Sequence, residues 1–329
     1  MSMKTRLCLA SLSVLLAAGA AARAAHLVEQ TLVLQPGWNA IYLEVEPETN
    51  TCIDVFRDVP IASAWTWIPR GPTAEFVQDL SEELVRDPQW LCFFPTNRPE
   101  RMFNNMFIVS ANKPYFIKLE GTSAVNWVVS GRPAVASYLW QPNEFNLVGF
   151  PLKPTGPLPG IGSFFSHASA LSNQSVFVLG ANGRWEQAVN VNLPMQAGRC
   201  QWVYANAAST YGGPVAVTVE SGDGLDYGKT LTELSVVIRN VTASPTVMEV
   251  RDLAGPGPIN YWTFNTGLGI AEWLPLPEPL VINLAGGASH TLRIAVDRDS
   301  FTQPTHETTI QVESDSGTRV RIPLTARLP

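Results

Sequence analysis

The stretch Gln35-Pro36-Gly37-Trp38-Asn39-Ala40-Ile41-Tyr42-Leu43 occurs in two related forms in this chain of 329 residues. The second form is Gln141-Pro142-Asn143-Glu144-Phe145-Asn146-Leu147-Val148-Gly149-Phe150, where Asn146 matches Asn39 at an offset of 107. Turn-forming residues open both stretches and a mixed apolar run follows, which is typical of a partly buried β-strand. The repeat therefore predicts two related β modules in the first two thirds of the chain.

Two further pairs of segments extend the repeat. Trp65-Thr66-Trp67-Ile68 matches Ser175-Val176-Phe177-Val178, and Lys113-Pro114-Tyr115-Phe116-Ile117-Lys118 matches Arg199-Cys200-Gln201-Trp202-Val203-Tyr204. Short aromatic runs of this kind favour a pleated, packed surface. The offset falls to 86 in the last pair, so the first copy carries an insertion of about twenty residues.

We place this insertion between Leu80 and Met106, because Glu75-Phe76 still matches Arg184-Trp185 before it. Within the insertion, Ser81-Glu82-Glu83-Leu84-Val85-Arg86 predicts a short helix. Serine caps a helix N-terminus, and glutamate is favourable in the first turn.

The last third of the chain alternates regularly between apolar and polar residues. Leu292, Ile294 and Val296 fall on one face of a predicted strand, and the same period of two places Thr308, Ile310 and Val312, then Val320, Ile322 and Leu324, on inward faces. This alternation is typical of an antiparallel sheet with one buried face. Ser314-Asp315-Ser316-Gly317 predicts a hairpin turn between the last two strands. Further predicted strands are Val215–Val219, Leu231–Arg239, Val247–Asp252, Tyr261–Phe264 and Leu280–Leu284, and the set fits a β-sandwich.

Composition agrees with an all-β chain. Proline and glycine number 26 and 24, which disfavours long helices because proline breaks a helix interior and glycine weakens it. Ten tryptophans, with only 15% charged residues, argue against disorder.

The N-terminus has the pattern of a secretory signal peptide. Lys4 and Arg6 precede an apolar stretch, 7–22, and Ala22-Arg23-Ala24 fits a cleavage site before Ala25. The apolar stretch is short for a permanent transmembrane helix, which is the weaker alternative, and no later stretch is long enough to span a membrane. We expect a chain that is secreted or on the cell surface, with the periplasm as a further compartment.

The net charge excludes two classes of partner. Removal of Lys4, Arg6 and Arg23 with the signal peptide takes the net charge from −6 to −9. An acidic protein repels nucleic acid and anionic lipid, so we expect neither as a partner.

Three cysteines follow the predicted cleavage site: Cys52, Cys92 and Cys200. In an oxidising compartment one pair can form a disulfide, and we suggest Cys52–Cys92 because both lie in one module. Three buried, reduced thiols are the alternative. No Cys-x-x-Cys spacing exists, so neither a zinc site nor a redox motif is expected.

Both copies of the repeat resemble a β module common in secreted bacterial proteins. That module opens on Gly-Trp-Asn-Leu-(Ile/Val)-(Gly/Ser)-x-Pro and closes on Gly-(Lys/Arg)-x-Tyr-Trp-Val-Tyr. The second copy keeps Phe145-Asn146-Leu147-Val148-Gly149-Phe150-Pro151 and Gly198-Arg199-Cys200-Gln201-Trp202-Val203-Tyr204, whereas the first departs at Ala40-Ile41-Tyr42 and Asn112-Lys113-Pro114. The resemblance covers roughly residues 30–215 and implies an extracellular β module without an activity of its own.

The C-terminal part resembles an immunoglobulin-like domain of the ASPM–SPD-2–Hydin type. The matching pieces are Val236–Asn240, Leu284–Ile294 and Arg321–Ala326. The resemblance implies a spacer or docking domain. The expected organisation is a signal peptide (1–24), two related β modules (25–136 and 137–213) and an immunoglobulin-like β-sandwich (214–329).

Motifs of catalysis are missing from the sequence. It contains no Gly-x-Ser-x-Gly, His-Glu-x-x-His or phosphate-binding loop, and Ile310 stands where a second histidine would have to follow His306. Glu44 and Glu46 lie two apart, and we interpret them as a solvated strand face. We therefore expect no enzyme, no cofactor and no metal site.

Tryptophan offers the remaining candidate site. Trp38, Trp65, Trp67, Trp185 and Trp202 occupy repeat positions and are predicted to fill cores. Trp262 and Trp273 lie outside the repeat, among prolines and glycines, and are the candidates for stacking against sugar rings from loops.

The leading hypothesis is an exported, non-enzymatic structural or interaction protein of a bacterial envelope or extracellular matrix. Its partner would be an envelope protein or polysaccharide, or another copy of the chain in a self-assembly, reached through sheet edges or aromatic patches. A secreted carbohydrate-binding protein is the alternative. A glycan hydrolase whose carboxylates one sequence does not reveal is the second alternative.

Overall fold

A computed structural model describes residues 27–69, 89–220, 222 and 224–329. The predicted signal peptide and the predicted helix at Ser81–Arg86 lie outside these residues. Strands dominate the described chain, and helices within it have at most five residues. The predicted all-β fold is confirmed.

The first module consists of two sheets, with strand orders β1-β7-β3 and β2-β6-β4-β5. A short helix and a 3-10 turn connect strands within it. The elements are β1 (Val28–Leu34), β2 (Gly37–Leu43), β3 (Val45–Pro47), α1 (Cys52–Val55), β4 (Ile61–Trp67), β5 (Trp90–Phe93), the 3-10 turn (Pro99–Phe103), β6 (Lys113–Leu119) and β7 (Val125–Pro133).

The second module is built on one four-stranded sheet of order β10-β9-β11-β8. Its elements are β8 (Glu144–Gly149), α2 (Ile161–Phe165), β9 (Val176–Leu179), β10 (Trp185–Gln187) and β11 (Cys200–Ala205). Repeat-matched strands occupy the same places in the two modules, because β2, β4 and β6 correspond to β8, β9 and β11. The repeat is therefore also a repeat of strand order.

One asparagine in each copy explains why the sequence motif recurs. The side chain of Asn39 accepts from the backbone N–H of Gln35 and donates to its carbonyl, both at 2.7 Å. Asn146 makes the same two bonds with Gln141, at 2.9 and 3.1 Å. Each asparagine thus fixes the turn that leads into its strand, since a side-chain amide can serve as donor and acceptor together.

The insertion in the first copy begins before the predicted range and overlaps only its start. The edge strand that corresponds to β10 is Trp90–Phe93, so most of the extra residues lie in the connection 68–89, which overlaps the predicted range only from Leu80. Glu75-Phe76, which was matched to Arg184-Trp185, lies outside the described residues.

The C-terminal part is a sandwich of two five-stranded sheets, with orders β12-β14-β19-β16-β17 and β13-β21-β20-β15-β18. Its strands are β12 (Val215–Val219), β13 (Leu225–Asp226), β14 (Glu233–Asn240), β15 (Thr246–Asp252), β16 (Ile259–Asn265), β17 (Ile270–Pro275), β18 (Leu280–Leu284), β19 (Ser289–Val296), β20 (Thr305–Ser314) and β21 (Arg319–Arg327). The predicted strands are all present, whereas β13 and β17 were not predicted. The inward residues Leu292, Ile294 and Val296 are buried, as their alternation predicts.

Apolar layers separate the sheets. Consecutive residues of β2 point to opposite faces of their sheet: Ile41 packs into the core of the first module, and Tyr42 packs into a second core shared with the following module. That shared core is aromatic and joins the two four-stranded sheets. Tyr42 also explains Gly149, because a side chain there would collide with the Tyr42 ring, which lies 2.3 Å from an ideal Cβ position.

The last hairpin attaches the sandwich to the second module. Gly317 has φ of +89°, as the predicted turn at Ser314-Asp315-Ser316-Gly317 requires. Its carbonyl accepts from the N–H of Lys153 at 2.9 Å, and the N–H of Arg319 donates to Pro151 at 3.1 Å. The second module thus contacts the first module through the shared core and the sandwich through this hairpin.

Candidate functional site

The tryptophans at repeat positions form a buried cluster, which we call the inter-module aromatic core. Trp202 is fully buried at its centre, with Trp67, Trp90 and Trp185 at ring distances of 5.4, 6.3 and 6.4 Å. Trp65 is buried in the same core, and Trp38 is half-buried at its edge. The buried rings pack against other protein groups and are not accessible to a ligand, whereas Trp38 is partly accessible.

Trp262 and Trp273, the candidates for sugar stacking, lie next to each other on the outside of the C-terminal sandwich. They are direct partners across β16 and β17, with ring centroids 5.1 Å apart and planes inclined by 62°. Both are half-buried. The structure places them in strands and not in the loops that the surrounding prolines and glycines suggested.

An arginine covers this pair of rings. The guanidinium of Arg293 on β19 lies 4.6 Å from the Trp262 centroid and 5.5 Å from that of Trp273. Arg293 also donates through Nε and Nη2 to both carboxylate oxygens of Glu233, the second contact being 2.8 Å. These hydrogen bonds lower the pKa of Glu233 and raise that of Arg293. One side of the tryptophan pair is therefore occupied by a fixed cation.

The hairpin that carries the tryptophans extends past the rest of its sheet. Only Ile259–Tyr261 of β16 pairs with β19, so the distal part of β16 pairs with β17 alone within the described chain. Phe264 and Leu268 are 60% and 67% exposed, and Ile270 and Leu274 are also exposed. We call these four residues and the free edge of β17 the hairpin surface. A free edge with exposed apolar side chains is a template for pairing with another chain.

Sequence reasoning missed this surface, although a signal for it exists. Asn265-Thr266-Gly267-Leu268-Gly269 is a turn-forming run between two apolar segments, which is the pattern of a hairpin. The side chain of Asn265 accepts from the N–H groups of Gly267 and Leu268 and closes that turn.

Glu44 corrects another interpretation from the sequence. The predicted solvated face is wrong, because Glu44 is only 6% exposed and accepts from Nη2 of Arg319 at 2.7 Å. Burial raises the pKa of Glu44, and the nearby arginines oppose that effect. Glu46 is half-buried and accepts from the N–H of Ala111. The signal was an acid placed between two apolar residues, Leu43 and Val45.

The suggested disulfide is also corrected. Cys52, Cys92 and Cys200 are free and buried. Cys52, at the start of α1, packs in the core of the first module. Cys92, on β5, packs in the inter-module aromatic core instead. Burial raises the pKa of the Cys52 thiol to about 12 and also raises those of Cys92 and Cys200. The alternative of three buried thiols describes this arrangement.

No group of histidine, cysteine and carboxylate side chains suited to a metal ion occurs among the described residues. Within the same residues, no helix has the length and apolar character needed to cross a membrane.

No family model and no curated protein matches the sequence. Solved structures that match parts of the chain include the ASH / PapD-like domain 7 of human CEP192, with 11% identity, coverage of 35% of this chain and 85% of that chain, and a TM-score of 0.24. The chaperone–tip adhesion subunit complex CsuC-CsuE of Acinetobacter baumannii matches with 18% identity, coverage of 35% and 56%, and a TM-score of 0.23. The Enterococcus faecalis MSCRAMM ACE, which binds its ligands by the collagen Hug model, matches with 7% identity, coverage of 92% and 89%, and a TM-score of 0.20. We draw no functional argument from similarities of this size.

Proposed function

We propose that this chain is an exported, non-enzymatic interaction protein of a bacterial envelope or extracellular matrix, and that it binds a protein partner at the hairpin surface. The observation that carries the proposal is the free edge of β17, bordered by exposed apolar side chains. An extended segment of a partner can add a strand to such an edge, with main-chain hydrogen bonds for affinity and side-chain contacts for specificity.

The composition of β17 supports this use. Natural edge strands are commonly protected by lysine, by inward-pointing charges or by a bulge. β17 carries a single charged residue, Glu272, and its carboxylate accepts from Nδ2 of Asn265 in the same hairpin at 2.9 Å. Pro275 has no backbone N–H to donate, so it prevents pairing with a partner strand only at the last position of β17. Ile270 and Leu274 flank the open part of the edge.

The tryptophans and asparagines of the repeat have structural roles. The inter-module aromatic core fills space between sheets, and the repeat asparagines hold turns. Among the described residues, the hairpin surface is an aromatic and apolar region that stays accessible and serves neither purpose. The accessibility of this surface supports the proposed interaction role there.

The test is binding of the purified chain to envelope material from the cells that naturally produce it. The double variant Ile270→Lys with Leu274→Lys places charges on the edge and is expected to lose saturable binding. Val281→Lys is the control, because Val281 is about as exposed as Ile270 and lies on β18, the edge strand of the other sheet. Equal binding of both variants and the unmodified chain would contradict the proposal.

Export has its own test. Mass spectrometry of the chain recovered from those cells is expected to find an N-terminus at Ala25. A chain that retains residues 1–24 would contradict export by signal cleavage.

The adjacent tryptophans support carbohydrate binding as a second candidate. Two half-exposed rings on one strand pair can stack on a sugar from the side that Arg293 leaves open. Titration of soluble polysaccharides, followed by tryptophan fluorescence, is then expected to be saturable for the unmodified chain and abolished for Trp262→Ala. A panel without saturable binding by the folded protein would remove this candidate.

A further inference from the structure

A cavity of about 440 Å³ lies between the first two modules, beside the half-buried Trp38. The start of β2 forms one wall, and the end of β9, the start of β11 and the connection before β11 form the others. The volume falls within the range of small-molecule binding sites, which is roughly 300–1,000 Å³. We call this space the split cavity, because it lies at a gap in the sheet of the second module.

The gap arises because β9 and β11 stop pairing before they end. Their register contains two residue pairs, of which the one nearest the cavity is Trp202 opposite Phe177. The same register, continued, would place Cys200 opposite Leu179, but these two residues line the cavity instead. Backbone groups away from water normally find a hydrogen-bond partner, so a gap with unpaired ladder positions suits a polar occupant.

Gln201 is a polar side chain at this gap that lacks an adequate partner. It is only 5% exposed and lines the cavity, and within the described chain its one hydrogen bond joins Nε2 to the thioether sulfur of Met195 at 3.5 Å. A thioether sulfur is a weak acceptor. The Oε1 atom has no donor among the described residues, yet it is not one of the unpartnered atoms that are closed to water. The carboxamide is therefore available to a ligand as donor and acceptor.

Arg199 brings an unpaired positive charge to the same cavity. It is half-buried and has no ion pair within the described chain. Its Nη2 donates to the carbonyl of Val33 at 2.9 Å, whereas Nε and Nη1 have no acceptor among the described residues and are not closed to water. Burial lowers the pKa of Arg199, and no carboxylate opposes that effect. The guanidinium still carries its charge at neutral pH.

Arg199 and Gln201 can act on one ligand. They stand two positions apart, Arg199 forms a β-bridge with Ile41, and Gln201 is the second residue of β11, so both belong to an extended segment. Side chains two positions apart on an extended segment lie on the same face. Both residues also line the same cavity.

The opposite wall adds an aromatic ring and further carboxamides. Trp38 lines the cavity and is partly accessible, and the Nζ of Lys118 lies 5.5 Å from the centroid of its ring. Gln35 and Gln196 are exposed lining residues whose side chains make no hydrogen bond within the described chain. Carboxamides can exchange hydrogen bonds with hydroxyl groups in both directions. An aromatic face, free carboxamides and one unpaired guanidinium together suit a ligand with hydroxyl groups and a negative charge.

We propose that the split cavity binds an acidic sugar of the uronic acid class. The carboxylate would accept from Arg199, the hydroxyl groups would bind the carboxamide of Gln201, and the apolar face of the sugar ring would pack against Trp38. A neutral sugar would leave the arginine without a counter-charge, and a simple carboxylate would leave the glutamines unused. This site is separate from the hairpin surface and from the tryptophan pair beside it, so its test is independent of theirs.

The test is isothermal titration calorimetry of the purified chain with the sodium salts of glucuronate, galacturonate and mannuronate at constant ionic strength. At least one acid is expected to bind saturably, and at least about tenfold more tightly than its neutral parent sugar or propionate. The disaccharides of the same acids form a further arm. Tighter binding of a disaccharide would identify the end of a polysaccharide as the source of the ligand, and equal binding would identify the free sugar acid.

Variants assign the binding to the cavity. Arg199→Gln is expected to weaken the affinity for the acid at least about tenfold, and Gln201→Leu by a smaller factor, because hydrogen bonds to charged groups are the stronger ones. Arg132→Gln is the matched control, since it removes the same charge from an exposed arginine outside the cavity and is expected to leave the affinity unchanged. Trp262→Ala is also expected to leave it unchanged, which separates this site from the tryptophan pair of the sandwich.

Three results would overturn the proposal: no saturable binding of any of the three acids, equal affinity for the neutral sugar or propionate, or undiminished affinity in Arg199→Gln. If Arg199→Gln does not fold, Gln201→Leu decides. That change keeps a side chain of similar size and removes its hydrogen-bonding groups, and undiminished affinity there would then overturn the assignment.

Discussion

Tryptophan rings and arginine–glutamate pairs occur both at the boundaries between modules and on the outer face of the sandwich, and the two settings differ in what covers these groups. At the boundaries between modules, Trp202 is fully buried, and the side chains of Arg319 and Glu44 are 7% and 6% exposed. On the outer face of the sandwich, Trp262 is half-exposed, and the side chains of Arg293 and Glu233 are 38% and 35% exposed.

The difference teaches that residue type alone does not separate a structural group from one that can meet a partner. Tryptophan, arginine and glutamate side chains hold the modules together at the boundaries and lie on an accessible face of the sandwich. A neighbouring module that covers a polar side chain excludes water from it. Removing the partner of such a buried side chain therefore lowers the free energy of unfolding strongly, and the pKa of a buried charged group depends on its protein neighbours. The following predictions set the buried member of each pair against the exposed one.

The largest contrast is expected between the tryptophans. Trp202→Ala removes a ring packed among three other tryptophans, and we expect it to lower the free energy of unfolding by about 3–5 kcal/mol. Trp262→Ala is expected to cost less than about 1 kcal/mol, because surface substitutions have small effects. Urea unfolding of both variants measures the difference. Similar losses of free energy of unfolding in the two variants would contradict the expected difference between buried and exposed tryptophans.

The arginine–glutamate pairs are expected to differ less. Arg319→Ala leaves the Glu44 carboxylate buried without its partner, and we expect a loss of about 3 kcal/mol in the free energy of unfolding. Arg293→Ala is expected to cost much less, because water replaces the guanidinium at Glu233. Chemical denaturation of the two variants tests this expectation, provided that the free energy of unfolding depends on denaturant concentration with the same slope in both. A larger loss for Arg293→Ala would contradict it.

The smallest contrast is in pH dependence, where the two glutamates are expected to act in opposite directions. Burial raises the pKa of Glu44, so its stabilising contribution is complete below its ordinary pKa of 4.5 and is lost as pH rises through the folded-state value. Arg293 lowers the pKa of Glu233, so that contribution is present above 4.5 and is lost as pH falls through the folded-state value.

Urea unfolding at a series of pH values from about 3 to 7, for the unmodified chain, Glu44→Gln and Glu233→Gln, checks these signs. Relative to the unmodified chain, Glu44→Gln is expected to gain stability as pH rises, and Glu233→Gln is expected to lose it. Trends of the same sign in the two variants would show that burial does not set the difference.

The sequence predicts those features of the fold that local pattern determines. Leu292, Ile294 and Val296 alternate with polar residues, and Asn39 and Asn146 stand four and five positions after the residues they bind, so nearby residues suffice to predict strands and turns. Most of the repeat tryptophans lie buried, as their matched positions indicated.

The remaining features depend on distant parts of the chain. Glu44 meets Arg319 across 275 positions, and no local pattern indicates that pairing. Cys52 and Cys92 lie in one module, but they face different cores, which only the sheet arrangement decides. The sequence shows that Trp262 and Trp273 lie outside the repeat, whereas the free edge beside them follows from the strand order of the sheet.

The most direct test of the docking account is site-specific photo-crosslinking in the cells that naturally produce the chain. A photoreactive phenylalanine analogue would replace Phe264 on the hairpin surface or Val281 on the opposite edge strand. The account predicts a discrete adduct with one protein from position 264, its loss when Ile270 and Leu274 are changed to lysine, and no such adduct from position 281. Equal adducts from both positions, or none from position 264, would contradict it.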